Sequence, residues 1–335
     1  MDPQNCIDNL ERLSKDFDYA VVVAPPKELV EITRTLHAEL LQPSPHLIEV
    51  LSNKYTAIQV LRECGISTPD TRLVNVYSDV VGEEMSLLVV VKPTLLTGAA
   101  CVEVVRSPSE LNRVAQGVAE CSSEHEVVVQ RFVEGVHGSV LAFYGSDESL
   151  LYSANLQLIS SMDGKLRFFG GLTPLRSNVF RDSGRAIISK LKMCIPGLRG
   201  FVGVDVVWSG GEPFVVEVNP RPTTAIVSLA KLFQKLSQGI VENALLSDAV
   251  TYAGDVVTGY SYYVKAERGF TPFAELGEDI IVFPYSEKVI VVGEVKNPLQ
   301  TLDRVKSFVK NLVYDLGAVL FDRGSYPCLL SYSSL

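Results

Sequence analysis

The sequence predicts a mixed α/β protein in which an α/β unit opens the chain and strand-rich α+β lobes follow. Asp18–Ala24 (DYAVVVA) is a compact apolar run, followed by Pro25-Pro26 and a helix-like stretch from Lys27 to Leu41. That strand, turn and helix are the order of an α/β unit with a buried strand. From Ser86 onward, short Val- and Phe-rich runs alternate with turns, the pattern of a sheet interrupted by few helices. With 335 residues, 47% of them hydrophobic, the chain can bury a large core in two or three structural units.

In chain order, LQPSPH (41–46) is a Pro-punctuated loop, and Leu47–Cys64 carries apolar residues at helical spacing, with Gly65 placed to end the helix. A strand is expected at Thr71–Tyr77. Leu87–Lys92, Cys101–Val105, Glu126–Phe132 and Gly138–Phe143 read as strands around one helix, Pro108–Cys121. Leu150–Ile159 and Leu166–Phe169 form a further pair about Met162-Asp163-Gly164, and Ser177–Cys194 is the next helix. After a hairpin at Phe201–Asn219, a helix runs from Thr224 to about Ala244. The end of the chain offers strands at Gly259–Ala266, Asp279–Pro284 and Val289–Val292, then an amphipathic helix at Thr301–Leu316.

The hairpin is the most informative stretch. Phe201–Val207 and Phe214–Asn219 are short strands separated by Ser209-Gly210-Gly211-Glu212, and Asp205, Glu217 and Asn219 interrupt their apolar runs. Glu217 and Asn219 alternate onto one face. If Ser209 pairs with Pro213 across a three-residue turn, Asp205 falls opposite Glu217. Two carboxylates and an amide oxygen are then gathered as hard donors suited to Mg²⁺. Asn219-Pro220-Arg221-Pro222 leaves the strand rigidly and keeps Arg221 close. A solvated face of an edge hairpin has similar composition, but the flanking valines look buried, where carboxylates need partners.

Lys92 ends the apolar run LLVVVKP, where its ammonium suits a phosphate, although a Lys snorkelling off a strand end is the commoner case for such a residue alone. The loop Thr94–Ala100 (TLLTGAA) could lay backbone N–H groups on phosphates, but with a single glycine it reads, taken alone, as a plain hairpin turn. Where Glu126–Gly138 (EVVVQRFVEGVHG) leaves the sheet, exposed backbone can bond an adenine edge, with His137 near a ribose hydroxyl or in a structural hydrogen bond. Lys54 reads alone as a solvated helix charge. Gly170–Arg176 (GGLTPLR) is a turn with a cation.

Composition narrows the partners. The net charge is −9 with no Lys/Arg block, which disfavours nucleic acid and anionic membranes. Six scattered cysteines (Cys6, Cys64, Cys101, Cys121, Cys194, Cys328) with no CxxC read as small buried hydrophobes in a reducing compartment. The acidic, polar N-terminus is no signal peptide, and no apolar run is long enough to span a bilayer, so a cytoplasmic protein is expected.

The ordered set SNKYTAIQVLRECGISTP, VVVKP, VVVQRFVEGVHGS, GVDVVW and VVEVNPRPTT resembles the ATP-grasp carboxylate–amine ligases, from about Ser52 to about Leu245. The resemblance implies an ATP-grasp fold with ATP between two lobes. It divides the chain into an α/β unit (1–80), a lid lobe (81–145), a catalytic lobe (146–250) and a β-rich extension with a terminal helix (251–335). By position it implies that Lys54 and Lys92 contact ATP phosphates, that Gln130, Arg131, Phe132 and Val133 hold adenine largely through backbone, and that His137 stands at the ribose. Asp205, Glu217 and Asn219 would ligate Mg²⁺, usually two ions in this family and with Mn²⁺ able to substitute, while Arg221 stabilises the acyl phosphate. The chain departs from the pattern in its glycine-poor loop after Lys92 and in His137, where many members carry a Glu on the ribose.

Within the family, YAVVVAP, LLQPSPHLIEVLSNKYTA, GGLTPL and VNPRPTT are most similar to tyramine–glutamate ligases of methanofuran biosynthesis. That narrower resemblance implies γ-glutamyltyramine formation from the small molecules glutamate, tyramine and ATP. An ATP-dependent phosphotransferase and a non-catalytic nucleotide-binding protein are the alternatives from other classes. The extension from Tyr252 would close the amine pocket or form a contact in a homo-oligomer.

Overall fold

The computed structural model describes residues 3–78, 88–146, 149–233, 259–267, 280–285 and 288–295. The expected Thr301–Leu316 helix, and the part of the Thr224–Ala244 helix beyond Phe233, lie outside these residues.

The N-terminal unit runs α1 (Pro3–Ser14), β1 (Tyr19–Ala20), α2 (Pro26–Thr35), β2 (Glu39–Leu40), α3 (Pro45–Ser52) and α4 (Lys54–Glu63). Three expectations change here. The strand expected over Asp18–Ala24 is only Tyr19–Ala20, parallel to β2, and Val21 and Val23 are 44% and 67% exposed rather than buried. Past Ala20 the run has no strand partner, and the Val22 N–H donates to Gln42 Oε1 at 2.6 Å instead. The helix expected to reach Leu41 stops at Thr35, because Glu39-Leu40 are drawn into pairing with β1.

The single helix expected over Leu47–Cys64 is two. Asn53 is extended (φ −77°, ψ 118°) and its side chain accepts from the N–H groups of Tyr55 and Thr56. Such a cap contributes about 1 kcal/mol, more than one residue's worth of helix propensity. The break sets Lys54 in the first turn of α4.

A small antiparallel sheet comes next, from β3 (Thr71–Asn75), β4 (Val89–Pro93), β5 (Glu103–Val105) and β6 (Glu126–Arg131), covered by α5 (Pro108–Ser122). Leu111, Val114, Ala115, Val118 and Ala119 repeat at helical spacing and meet Val74, Val89, Val91, Val105, Val127 and Val129 in a core of their own.

The larger sheet is built from β7 (Val136–Tyr144), β8 (Ser149–Met162), β9 (Lys165–Thr173), β10 (Gly200–Ser209) and β11 (Glu212–Asn219), in the order β11-β10-β7-β8-β9. Its apolar face packs under α6 (Asn178–Cys194) through Phe180, Ile187, Ile188 and Leu191. Trp208 anchors that contact, edge-on to Phe180 at 4.9 Å and donating from Nε1 to Ser183 Oγ at 2.8 Å. The opposite face carries α7 (Ala225–Phe233), whose Leu229 clusters with Leu141 and Tyr152. On the β9 edge, β12 (Tyr260–Glu267) adds on, followed by β14 (Lys288–Val295) and β13 (Ile280–Tyr285).

Small and large sheets join at one rung, Glu103 opposite Lys165, reinforced by an ion pair at 3.7 Å.

Four cysteines depart from the expectation of free buried thiols. Cys64 is bonded to Cys194 and Cys101 to Cys121, with Cα atoms 5.5 and 6.0 Å apart. No local spacing announces either pair, because the fold brings together residues 130 and 20 positions apart.

Candidate functional site

The β10–β11 hairpin forms the floor. Gly210 and Gly211 both take positive φ (+58° and +89°), so the turn has two residues and Ser209 pairs with Glu212. The expected three-residue turn is therefore incorrect. Asp205 nonetheless lies opposite Glu217, because a bulge between Asp205 and Val206 absorbs one extra residue, Val216. Asn219 pairs with Gly203 on the same face. That face is crowded: a Cβ at Gly203 would come within 2.1 Å of Thr223 Cγ2 and 3.6 Å of the Asn219 Cβ.

Two lysines reach this floor from elsewhere. Lys54, expected from its own surroundings to be solvated, is 3% exposed. Its ammonium stands 3.6 Å from Glu217 Oε1 and donates to the Leu96 carbonyl, while its N–H donates to Thr94 O at 2.9 Å. Lys92 is 6% exposed and donates to Gln130 Oε1 at 2.9 Å and to the Val216 carbonyl at 3.0 Å. Gln130 is fixed in turn by its Nε2, which donates to Thr71 Oγ1 at 2.9 Å.

The charges feel one another. Burial raises the Asp205 carboxyl above the usual range and the Glu217 charge adds to it, against a hydrogen bond from Gln157 and the charges of Arg221 and Lys92. Burial lowers Lys92 to about 8, with Lys54 acting in the same sense and the two carboxylates opposing. Asp205 Oδ1 accepts from Gln157 Nε2 at 3.0 Å. Among the described residues no three His, Cys, Asp or Glu side chains cluster as metal ligands. The third donor is the Asn219 amide oxygen, and a hard divalent cation fits two mutually repelling carboxylates with that oxygen.

The remaining expected residues are placed less uniformly. The Arg221 N–H donates to Asn219 O at 2.7 Å, which folds the chain back so that its guanidinium charge acts on Asp205. Arg131 ends β6 and Phe132 follows it, but their N–H groups donate to Asp70 O (2.8 Å) and Leu88 O (3.0 Å). Neither N–H is therefore available to a base, which limits the expected backbone contacts to carbonyls and to Val133. The Gln130 side chain accepts from Lys92, which leaves its backbone for the contact expected of it. His137 is a strand residue opposite Val207, 9% exposed, with its ring 6.3 Å from that of Phe132. Burial lowers it to about 4, so at neutral pH the ring is uncharged.

Three contributors were missed in the sequence. Gln157 had a local signal, as Asn155 and Gln157 alternate onto one face of an otherwise apolar strand. Glu124 had none: it comes just after α5, and its Oε2 accepts from both the N–H and the hydroxyl of Thr94 at 2.8 Å. Tyr263, from β12, has its phenol over Gly171, where a Cβ would come within 2.7 Å of Oη, and Gly171 pairs with Gln157, the donor to Asp205; burial first and then the Asp205 charge raise the phenol.

The ATP-grasp domain family matches residues 51–225, the span that contains both lysines and the hairpin. The chain belongs to the ATP-grasp family. A tyramine–L-glutamate ligase of Methanocaldococcus jannaschii is 26% identical to this ATP-grasp chain over 245 residues, 69% of this chain and 64% of that protein. The chain thus spans under two thirds of that relative's length. The biotin carboxylase domain of Hydrogenobacter thermophilus 2-oxoglutarate carboxylase, solved with MgADP, ADP and bicarbonate, superposes with a TM-score of 0.67 at 14% identity. That superposition covers 91% of this chain and 76% of the domain. The L-amino acid ligase of Bacillus licheniformis gives 0.63 at 15% identity, over 93% of this chain and 84% of that one. At such identities the two structures establish the shared ATP-grasp fold. No helix among the described residues is long and apolar enough to cross a membrane.

Proposed function

We propose that this ATP-grasp protein is a ligase that joins a carboxylic acid to an amine through an acyl phosphate, consuming ATP. The pair we assign is L-glutamate and tyramine, giving γ-glutamyltyramine, ADP and phosphate. One observation carries the reading: Lys54 and Lys92, from α4 and β4, converge on the Asp205–Glu217 hairpin, with contacts of 3.6 Å to Glu217 and 3.0 Å to Val216. Two buried ammonium groups facing two carboxylates make a cradle for a polyphosphate with its divalent cation.

In this reading Asp205, Glu217 and Asn219 hold Mg²⁺, which supplies neutralisation of phosphate charge. Lys54 and Lys92 bind the phosphates and hold the terminal one in line with the acid. A carboxylate oxygen attacks the γ-phosphorus, and the bond to the β-phosphate oxygen breaks to leave ADP. The deprotonated amine then attacks the acyl carbon, phosphate departs, and one proton is released. Arg221 donates to the oxyanion formed in that second step. Water must be kept from the acyl phosphate, and the burial of Lys54 and Lys92 supports that exclusion. Gln157 and Tyr263 border Asp205 and suit a polar small-molecule substrate. The M. jannaschii relative supports the acid and amine chosen.

Hydroxylamine tests the chemistry. With Mg-ATP and L-glutamate, the ligase reading predicts a glutamyl hydroxamate. A stable phosphorylated product without hydroxamate would make the protein a phosphotransferase.

A further inference from the structure

The segment after Lys92 has one glycine, Gly98, and so little of the bare backbone that lets a loop lie close on phosphates. Side chains hold it instead. Thr94 is fixed by Glu124 with two bonds of 2.8 Å, the Leu96 carbonyl accepts from Lys54 Nζ, and Cys101 is bonded to Cys121. Between Leu96 and Cys101 stands Gly98, with φ +68°.

A cation arrives at that point from beyond the family match. Tyr263 and Lys265 alternate onto one face of β12, paired with Val292 and Ile290. A Cβ at Gly171 would lie 2.7 Å from Tyr263 Oη, and Gly171 pairs with Gln157, the donor to Asp205, so β12 passes the Asp205 side of the site. Two residues on, the Lys265 ammonium sits 4.8 Å from the centre of the Phe168 ring. A Cβ at Gly98 would lie 3.5 Å from its Nζ. The Phe168 face steers a partly buried ammonium toward the loop.

We propose that Lys265 is a third nucleotide-binding cation, which meets the terminal phosphate of a nucleoside triphosphate beside Gly98. The inference rests on the nucleotide reading of the site under Proposed function. It gives the strand beyond the family match a part in binding, and supplies by charge what the glycine-poor loop lacks in close backbone approach.

The test is calorimetric titration of the full chain with Mg–AMPPNP and with Mg–ADP, for the wild type, Lys265→Met, Lys265→Gln and Lys265→Arg. Loss of one charge-assisted bond to the γ-phosphate should weaken AMPPNP about tenfold in both neutral variants and ADP far less. Lys265→Arg should retain most of the affinity. Neutral variants that bind AMPPNP like the wild type overturn the inference and leave the nucleotide site standing. Equal loss for both nucleotides, or loss in Lys265→Arg as well, marks a structural role and also overturns it. A wild type that binds neither nucleotide overturns the nucleotide reading itself and the inference with it.

Discussion

The Lys92 ammonium donates to the carbonyl of Val216 at 3.0 Å, tying the small sheet to the residue that the β10–β11 ladder skips. One bulge thus does two things. It restores the Asp205–Glu217 pairing that a two-residue turn would otherwise have shifted by one residue, and it sits beside Glu217 with an acceptor for the buried lysine.

Gln130 completes the lysine's shell, so Gln130→Leu leaves a buried ammonium with one protein acceptor fewer. A loss of about 1–3 kcal/mol in urea unfolding is expected, together with a raised KM for ATP. An unchanged KM would mean that Lys92 is placed without Gln130.

Glu217→Ala should abolish Mg-ATP turnover while the fold survives. Removing this carboxylate costs the ion pair with Lys54 but relieves repulsion at Asp205, two effects of opposite sign. Circular dichroism and the unfolding midpoint should therefore stay close to wild type. Retained ligation in this variant would sink the metal assignment.

Arg221→Ala should keep nucleotide affinity and lose product. A missing oxyanion donor lowers kcat by about 10²–10³-fold, read as amide formed per minute with nucleotide binding measured separately. A wild-type rate would refute the role.

His137 gives a pH signature. Its folded value, about 4, lies below the ordinary 6.5, so its contribution to stability is complete above pH 6.5 and is lost as pH falls through 4. Between those values the unfolded chain takes the proton first, and stability falls with pH. By pH 5 that amounts to about 2 kcal/mol. His137→Gln should flatten this part of the acid limb in urea titrations at pH 7.5 and 5, and an unchanged slope would contradict the burial argument.

Much of the site could be read from the chain alone because its parts are local. Asp205, Glu217 and Asn219 break apolar runs at strand spacing, and Arg221 comes next within a rigid Pro-flanked turn. The error in the turn length did not matter, since the bulge compensated for it. What escaped notice was long-range or set by competition between weak local preferences. Asn53 splits a helix because its side chain caps better than it continues, and Val21 and Val23 stay exposed because only two residues of their run find a strand partner. Glu124 and Lys265 act on a loop far from them in sequence, and nothing in their neighbourhoods points to it. The Cys64–Cys194 bridge is of the same kind.

The most direct test of the central claim is ADP release from the purified protein with Mg-ATP and L-glutamate, with and without tyramine, with products identified by mass. The account predicts tyramine-dependent ADP and a mass equal to glutamyltyramine. No ADP release with this pair or with any acid and amine from a broad screen would contradict the ligase reading. Release with a different pair would keep the ligase and replace its substrates.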